Sequence, residues 1–319
     1  MILLSPYVQS VFIVEGIILL LFSIGLYWAI KISLEFDARK STSYQYSLNK
    51  KSYLVATIIK FALLIKLPLF LFFIWTMDAL SNIVSGAMCA AGIVSATKWG
   101  TTMLMLKIIV LFGLCGWLLL HVKDMAETSY PFTKLKFILF QPLFILIALE
   151  FTLEIAHFTQ ISTDIPVQCC SVLFTQDINP QTRFFQKETV ILSSFYGLFI
   201  CTCSIGFLKR PILFGLSSLA FMFSSIHALI RFFSSYVYEL PTHKCPFCLL
   251  QSDYYYVGYL IYILLFLGTS SALGALLLHL IKRPVSNKWY RISMGINTLL
   301  VLLLSAYPLA YFLKNGVWL

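Results

Sequence analysis

The chain has 319 residues, of which 60% are hydrophobic, 16% aromatic and only 11% charged, with a mean hydropathy of +0.88. A soluble domain carries about 25% charged residues, so this composition excludes a soluble enzyme, a disordered chain and a fibrous one. The formal charge of +10 sits in short basic clusters between apolar runs, the pattern of membrane topology and not of a nucleic-acid surface.

Eight runs reach the roughly 20 apolar residues that a helical membrane span needs. They lie at 8–31, 53–75, 102–121, 135–158, 189–208, 211–238, 255–280 and 292–313. Phe, Leu and Ile occupy every face of these runs, without the alternation of a barrel strand. The connections are too short for a soluble domain. The chain therefore reads as all-α, a polytopic membrane bundle forming a single transmembrane helical domain over 1–319.

Lys and Arg divide unevenly among the connections. Fourteen fall on one side, including Lys31, Lys50, Lys51, Lys136, Lys209, Arg210, Lys282 and Arg283, against five on the other: Lys98, Arg183, Lys187, Lys244 and Lys314. The basic side is the cytoplasmic one, so both termini are expected outside. Residues 1–16 lack a basic n-region, so no cleavable signal peptide is expected.

In chain order, the first span carries Glu15 near its outer end, and the second carries Lys60 and Lys66. Residues 76–101, rich in Ser, Ala and Gly around Cys89, are too polar to span and too apolar for a free loop. They are expected to form an interfacial or re-entrant half-helix. The third span holds Lys107. The fourth holds Glu150, Glu154 and His157 at i, i+4 and i+7, which stacks all three on one helix face. The outer connection 159–188 contains the adjacent Cys169 and Cys170 and is the expected partner-docking segment. The sixth span has His227 and Arg231 at i, i+4.

A charged side chain within a span costs about 2.5–3.5 kcal/mol on insertion scales, so these groups need partners or a purpose. One reading is structural, with ion pairs such as Glu154 with Lys107 or Arg231 fixing helix register. The functional reading is a polar, partly hydrated pocket in which Lys66, Lys107, Glu150, Glu154, His157, His227 and Arg231 bind a cofactor and move protons. His157 and His227 also fit the axial pair of a haem b.

Of eight cysteines, Cys115, Cys201 and Cys203 fall within spans, where packing explains them. The other five, Cys89, Cys169, Cys170, Cys245 and Cys248, all fall on the outer side, where disulfides persist. The most informative string is His243-Lys244-Cys245-Pro246-Phe247-Cys248, directly before the seventh span. A Cys-x-x-Cys disulfide closes a small ring and exchanges readily. At a helix start the backbone N–H groups and the neighbouring Lys244 and His243 favour the thiolate. A stapling disulfide and a metal half-site are the rival readings. Tyr254, Tyr255, Tyr256 and Tyr259 suit the interfacial aromatic belt or the rim of a cofactor pocket.

Cys-Pro-aromatic-Cys at the outer end of a membrane helix resembles the bacterial relatives of vitamin K epoxide reductase and, by function, DsbB-type membrane proteins. Those families are built on about four or five spans, against eight here, and the resemblance implies a place in the bacterial inner membrane with the cysteine loops in the periplasm. It also implies a quinone cofactor beside Cys245 and Cys248, and a shuttle pair supplied by Cys169 and Cys170 or by Cys89 with one of them. A vicinal pair rarely bridges to itself, so one of Cys169 and Cys170 is expected to join Cys89 or the Cys-x-x-Cys.

The expected function is a membrane thiol–disulfide oxidoreductase coupling an extracytoplasmic thiol protein to quinone. A soft-metal-ion transporter and a quinone- or haem-binding subunit of a respiratory complex are the alternatives.

Overall fold

The computed structural model describes residues 2–37, 42–127, 130–163, 166–167 and 187–319. Cys169, Cys170 and most of the outer connection 159–188 lie outside the described residues. Among the described residues there is no β-strand, and all eight expected spans are helices long and apolar enough to cross a membrane. They are α1 (Pro6–Glu35), α2 (Ser43–Leu80), then a short α3 (Ala90–Ser95), α4 (Gly100–Met125) and α5 (Thr133–Gln160). After them come α6 (Glu188–Phe207), α7 (Pro211–Ala228), α8 (Ser234–Tyr238), α9 (Val257–Leu280) and α10 (Asn287–Asn315). A π-helical turn, Leu229–Phe233, joins α7 to α8, so the sixth span is continuous from Pro211 to Tyr238.

The helices outrun the apolar windows where polar residues continue them. α2 begins at Ser43 because Thr42 caps it, its hydroxyl accepting from the Gln45 N–H at 3.3 Å. Gln45 Nε2 in turn donates to the Glu35 carbonyl at 2.8 Å and ties the start of α2 to the end of α1. At its other end α2 runs to Leu80, so the segment expected as a half-helix yields only the six-residue α3.

The helices gather into two compact units, and each is described by itself. Unit 1 comprises residues 1–85 and 93–167, and unit 2 residues 86–92 and 168–319. In unit 1, α1 packs on α2 and α5, and α4 packs on α5 and α2. Its apolar core includes Phe22, Ile59, Leu63, Trp117 and Phe140, with the Phe22 and Phe140 rings edge to face at 5.5 Å. One end is pinned by the fully buried Asp124 of α4. It accepts from Phe132 N and Thr133 Oγ1, both at 2.7 Å, and from Lys136 Nζ at 2.5 Å. Lys136, counted from sequence among the cytoplasmic loop charges, is thus a buried partner at the start of α5.

In unit 2, α7 packs on α6 and α9, and α10 packs on α9 and α6. Small residues let these backbones approach, as in other membrane bundles. Ser293 of α10 donates to the Gly268 carbonyl of α9 at 2.7 Å, and a Cβ on Gly268 would stand 2.1 Å from Asn297 Oδ1. Phe214, Ala272, Ala275 and Tyr290 fill one part of the core.

Candidate functional site

The thiol site is built in unit 2 on the connection between α8 and α9. Glu239, with φ of +54°, turns the chain out of α8, and Tyr255 and Tyr256, with φ of +54° and +55°, turn it into α9. Left-handed backbone at large side chains is uncommon and costs about 1–2 kcal/mol per residue, so the neighbours must hold this loop in place. Two tyrosine hydroxyls do so, Tyr238 donating to the Cys245 carbonyl and Tyr262 to the Pro246 carbonyl at 2.8 Å. Leu249 rests against Gly258 so closely that a Cβ there would lie 2.9 Å from the Leu249 carbonyl carbon.

The sequence places Cys245 at a helix start, and the structure differs. Cys248 opens a short 3₁₀ turn, Cys248–Leu250, and α9 begins only at Val257. Gly258 must meet Leu249 and the two left-handed tyrosines intervene, so the loop folds back before α9 begins. Cys245 therefore does not occupy the first turn of α9.

Cys89 joins this loop from far away in sequence. Its Sγ lies 3.5 Å from Cys245 Sγ, and the sulfurs of Cys89, Cys245 and Cys248 all lie within 4.8 Å of one another. All three residues are buried. Gln251 Nε2 donates to the Met88 carbonyl at 3.2 Å, which fixes the Cys89 segment to the loop. Three sulfurs in contact are what exchange needs: an attacking thiolate, a central sulfur and a leaving one. They are also enough to ligate a soft ion, since metal–sulfur bonds of about 2.3 Å place ligands about 4 Å apart.

Aromatic groups complete the site. The Tyr238 ring meets His243 and Tyr254, each with centroids at 4.5 Å. Burial first, then the negative charges of Cys248 and Asp253, raise the Tyr254 phenol above its ordinary value, so it stays protonated at neutral pH. His243 Nε2 is buried without a hydrogen-bond partner. Of the tyrosine run, Tyr254 belongs to the site, whereas Tyr255 is 92% exposed.

Unit 1 contains the second constellation, and it is ionic. Lys66 Nζ contacts Glu15 Oε2 at 2.7 Å and Glu150 Oε1 at 2.9 Å. Lys107 Nζ contacts Glu15 Oε1 at 3.1 Å, Glu150 Oε1 at 2.8 Å and Glu154 Oε2 at 2.9 Å. It also lies 4.5 Å from the centre of the Phe73 ring. All five charged groups are buried. The i, i+4 spacing of Glu150 and Glu154 does put both on the inner face of α5, and the expected Glu154–Lys107 pair forms. Farther along α5, His157 Nδ1 is 2.6 Å from Thr97 Oγ1, while its Nε2 is buried without a partner. Lys60 of α2 is exposed and is not part of this cluster.

The residues expected to share one pocket are thus divided: Lys66, Lys107, Glu150, Glu154 and His157 belong to unit 1, and His227 and Arg231 to unit 2. Arg231 lies on the π-helical turn, an irregularity frequent at functional sites and without a signal in the sequence. Sequence reasoning also missed Tyr238, Tyr262, Gln251 and Thr97, whose partners are carbonyls or side chains that only folding brings near. No protein-family model, no curated protein and no solved structure matches this chain.

Proposed function

We propose that the chain is a membrane thiol–disulfide oxidoreductase that exchanges electrons between extracytoplasmic thiols and membrane quinone. The observation that carries the reading is the convergence of Cys89, Cys245 and Cys248 within 4.8 Å of one another in a buried, clamped loop. Three sulfurs this close can pass a disulfide among themselves once one of them is a thiolate, and their burial limits reaction with other thiols.

The chemistry balances as an exchange. With Cys245 and Cys248 joined, the Cys89 thiolate attacks Cys245 Sγ, forming the Cys89–Cys245 bond and releasing Cys248 as a thiolate. A second thiol then resolves the Cys89–Cys245 bond, and Cys169 and Cys170 are the nearest candidates in sequence on the outer side. A bound quinone would accept the two electrons and two protons that a dithiol gives up. The orphaned Nε2 of His243, beside the aromatic ring of Tyr238, is a side chain suited to hold a quinone carbonyl.

The test is quinone reduction by a dithiol, catalysed by purified protein in lipid nanodiscs. Cys245→Ser is expected to bring the rate to background, and a variant as fast as wild type refutes the reading.

The same three sulfurs favour a second reading, a soft-metal-ion handler. Equilibrium dialysis with copper(I) decides it: one ion bound per chain, lost in Cys89→Ser, supports metal handling, and no uptake dismisses it.

A further inference from the structure

The ionic cluster of unit 1 has an unbalanced charge. Three carboxyl groups, Glu15, Glu150 and Glu154, face two ammonium groups, Lys66 and Lys107, and all five are buried. Fully ionised, the cluster would hold one uncompensated negative charge in a low-dielectric interior, at a cost of several kcal/mol. Two of the carboxylate oxygens, Glu150 Oε2 and Glu154 Oε1, are buried without a partner. Both Glu15 oxygens meet an ammonium and Glu150 Oε1 meets two, whereas Glu154 meets only Lys107, so Glu154 is the least compensated of the three carboxylates. A metal cation is disfavoured, because the two ammonium groups already occupy the space between the carboxylates. A proton needs no such space.

We propose that this cluster is a proton-binding site, holding one exchangeable proton on Glu154 Oε1. The step is –COO⁻ + H⁺ ⇌ –COOH, with no electron transferred. His157 lies one turn beyond Glu154 on the same face of α5, and its buried Nε2 is the next polar atom without a partner. Its Nδ1 meets Thr97 Oγ1 at 2.6 Å, and Thr97 is half-buried, next to the exposed Lys98. Thr97 and His157 therefore supply a route between solvent and the carboxyl group. The site gives unit 1 one exchangeable proton, taken up or released by way of Thr97 and His157, and this holds whether or not the thiol site reduces quinone.

Infrared spectroscopy of the full chain in nanodiscs at neutral pH reads the protonated carboxyl directly, through its carbonyl stretch and the shift of that band in D₂O. The wild type is expected to show one such group per chain, and Glu154→Gln none. Charge counting distinguishes the proposal from a lone buried acid. Lys66→Met raises the deficit to two, so its band should double, and Glu15→Gln removes the deficit, so its band should vanish although Glu154 is intact. His157→Phe should keep the band and slow its exchange in D₂O at least tenfold. A wild type without the band, a band that survives Glu154→Gln, or one that ignores Lys66→Met and Glu15→Gln overturns the site. Unchanged exchange in His157→Phe overturns the route.

Discussion

The two units bury polarity in opposite ways. Among the described residues, the buried side chains with formal charge all belong to unit 1: Glu15, Lys66, Lys107, Asp124, Lys136, Glu150 and Glu154. Unit 2 buries Thr202, Ser218, Ser225, Ser234, Thr269, Ser293 and Asn297, which are neutral, together with its thiols. A buried ion pair is weak evidence of added stability, because desolvation offsets the attraction, but breaking one leaves a stranded charge. A buried hydroxyl or amide has less to lose. Unit 1 is therefore the unit in which single substitutions at polar positions should be severe, and unit 2 the one in which shape matters more than charge.

The largest expected effect is at Lys107, which meets three carboxylates. Lys107→Met should destabilise unit 1 by about 3–5 kcal/mol, read as the shift in a denaturant unfolding curve in detergent. Asn297→Leu is the matched change in unit 2. Both polar atoms of its side chain are buried without partners, so an apolar replacement of similar size should change stability by less than about 1 kcal/mol. Equal losses at the two positions would erase the contrast between the units.

The next effects concern the thiol loop. At Gly258 a new Cβ would meet Leu249 backbone atoms at 2.9 and 3.0 Å, and backbone cannot swing aside as a side-chain tip can. Gly258→Ala should cost about 1–3 kcal/mol and push the loop, so Cys245, fully buried in the wild type, should react faster with a maleimide. Gly268→Ala meets the tip of Asn297, which can rotate, and should cost less and leave Cys245 unreactive. Tyr238→Phe removes one hydrogen bond to the Cys245 carbonyl, a loss of about 1 kcal/mol. Its clearer sign would be a changed rate of Cys245 alkylation in an otherwise folded protein.

How much of this was legible in the sequence depends on distance along the chain. All eight spans could be read because a membrane helix declares itself within its own window, and Glu150, Glu154 and His157 because one helix carries them. The costly charges Glu15, Lys66 and Lys107 were expected to gather with Glu150 and Glu154, and the Glu154–Lys107 pair forms as expected. Which other carboxylates each lysine meets was not legible, since it depends on which helices pack together. Cys89 could be named as an outer cysteine, yet its contact with Cys245 crosses 156 positions. The helix-start reading of Cys245 failed for a local reason: the motif stands close before the run at 255–280, but a separate 3₁₀ turn at Cys248–Leu250 and the left-handed backbone at Tyr255 and Tyr256 intervene before α9 begins at Val257.

The smallest expected effect also tests the comparison, because it moves an ion pair out of the interior. Lys314 Nζ meets Glu239 Oε1 at 3.0 Å, a distance like those of Lys107, but their side chains are 65% and 53% exposed. Water solvates both ions before and after the pair is broken, and salt screens what attraction remains. Lys314→Ala should therefore cost no more than about 1 kcal/mol, and raising the salt concentration should reduce even that. The loss at Lys107 should hardly respond to salt, because its partners are shielded from counterions. If both losses fell in parallel with ionic strength, water would reach the cluster of unit 1. The charge deficit assigned to Glu154 would then be met by solvent and would not require a bound proton.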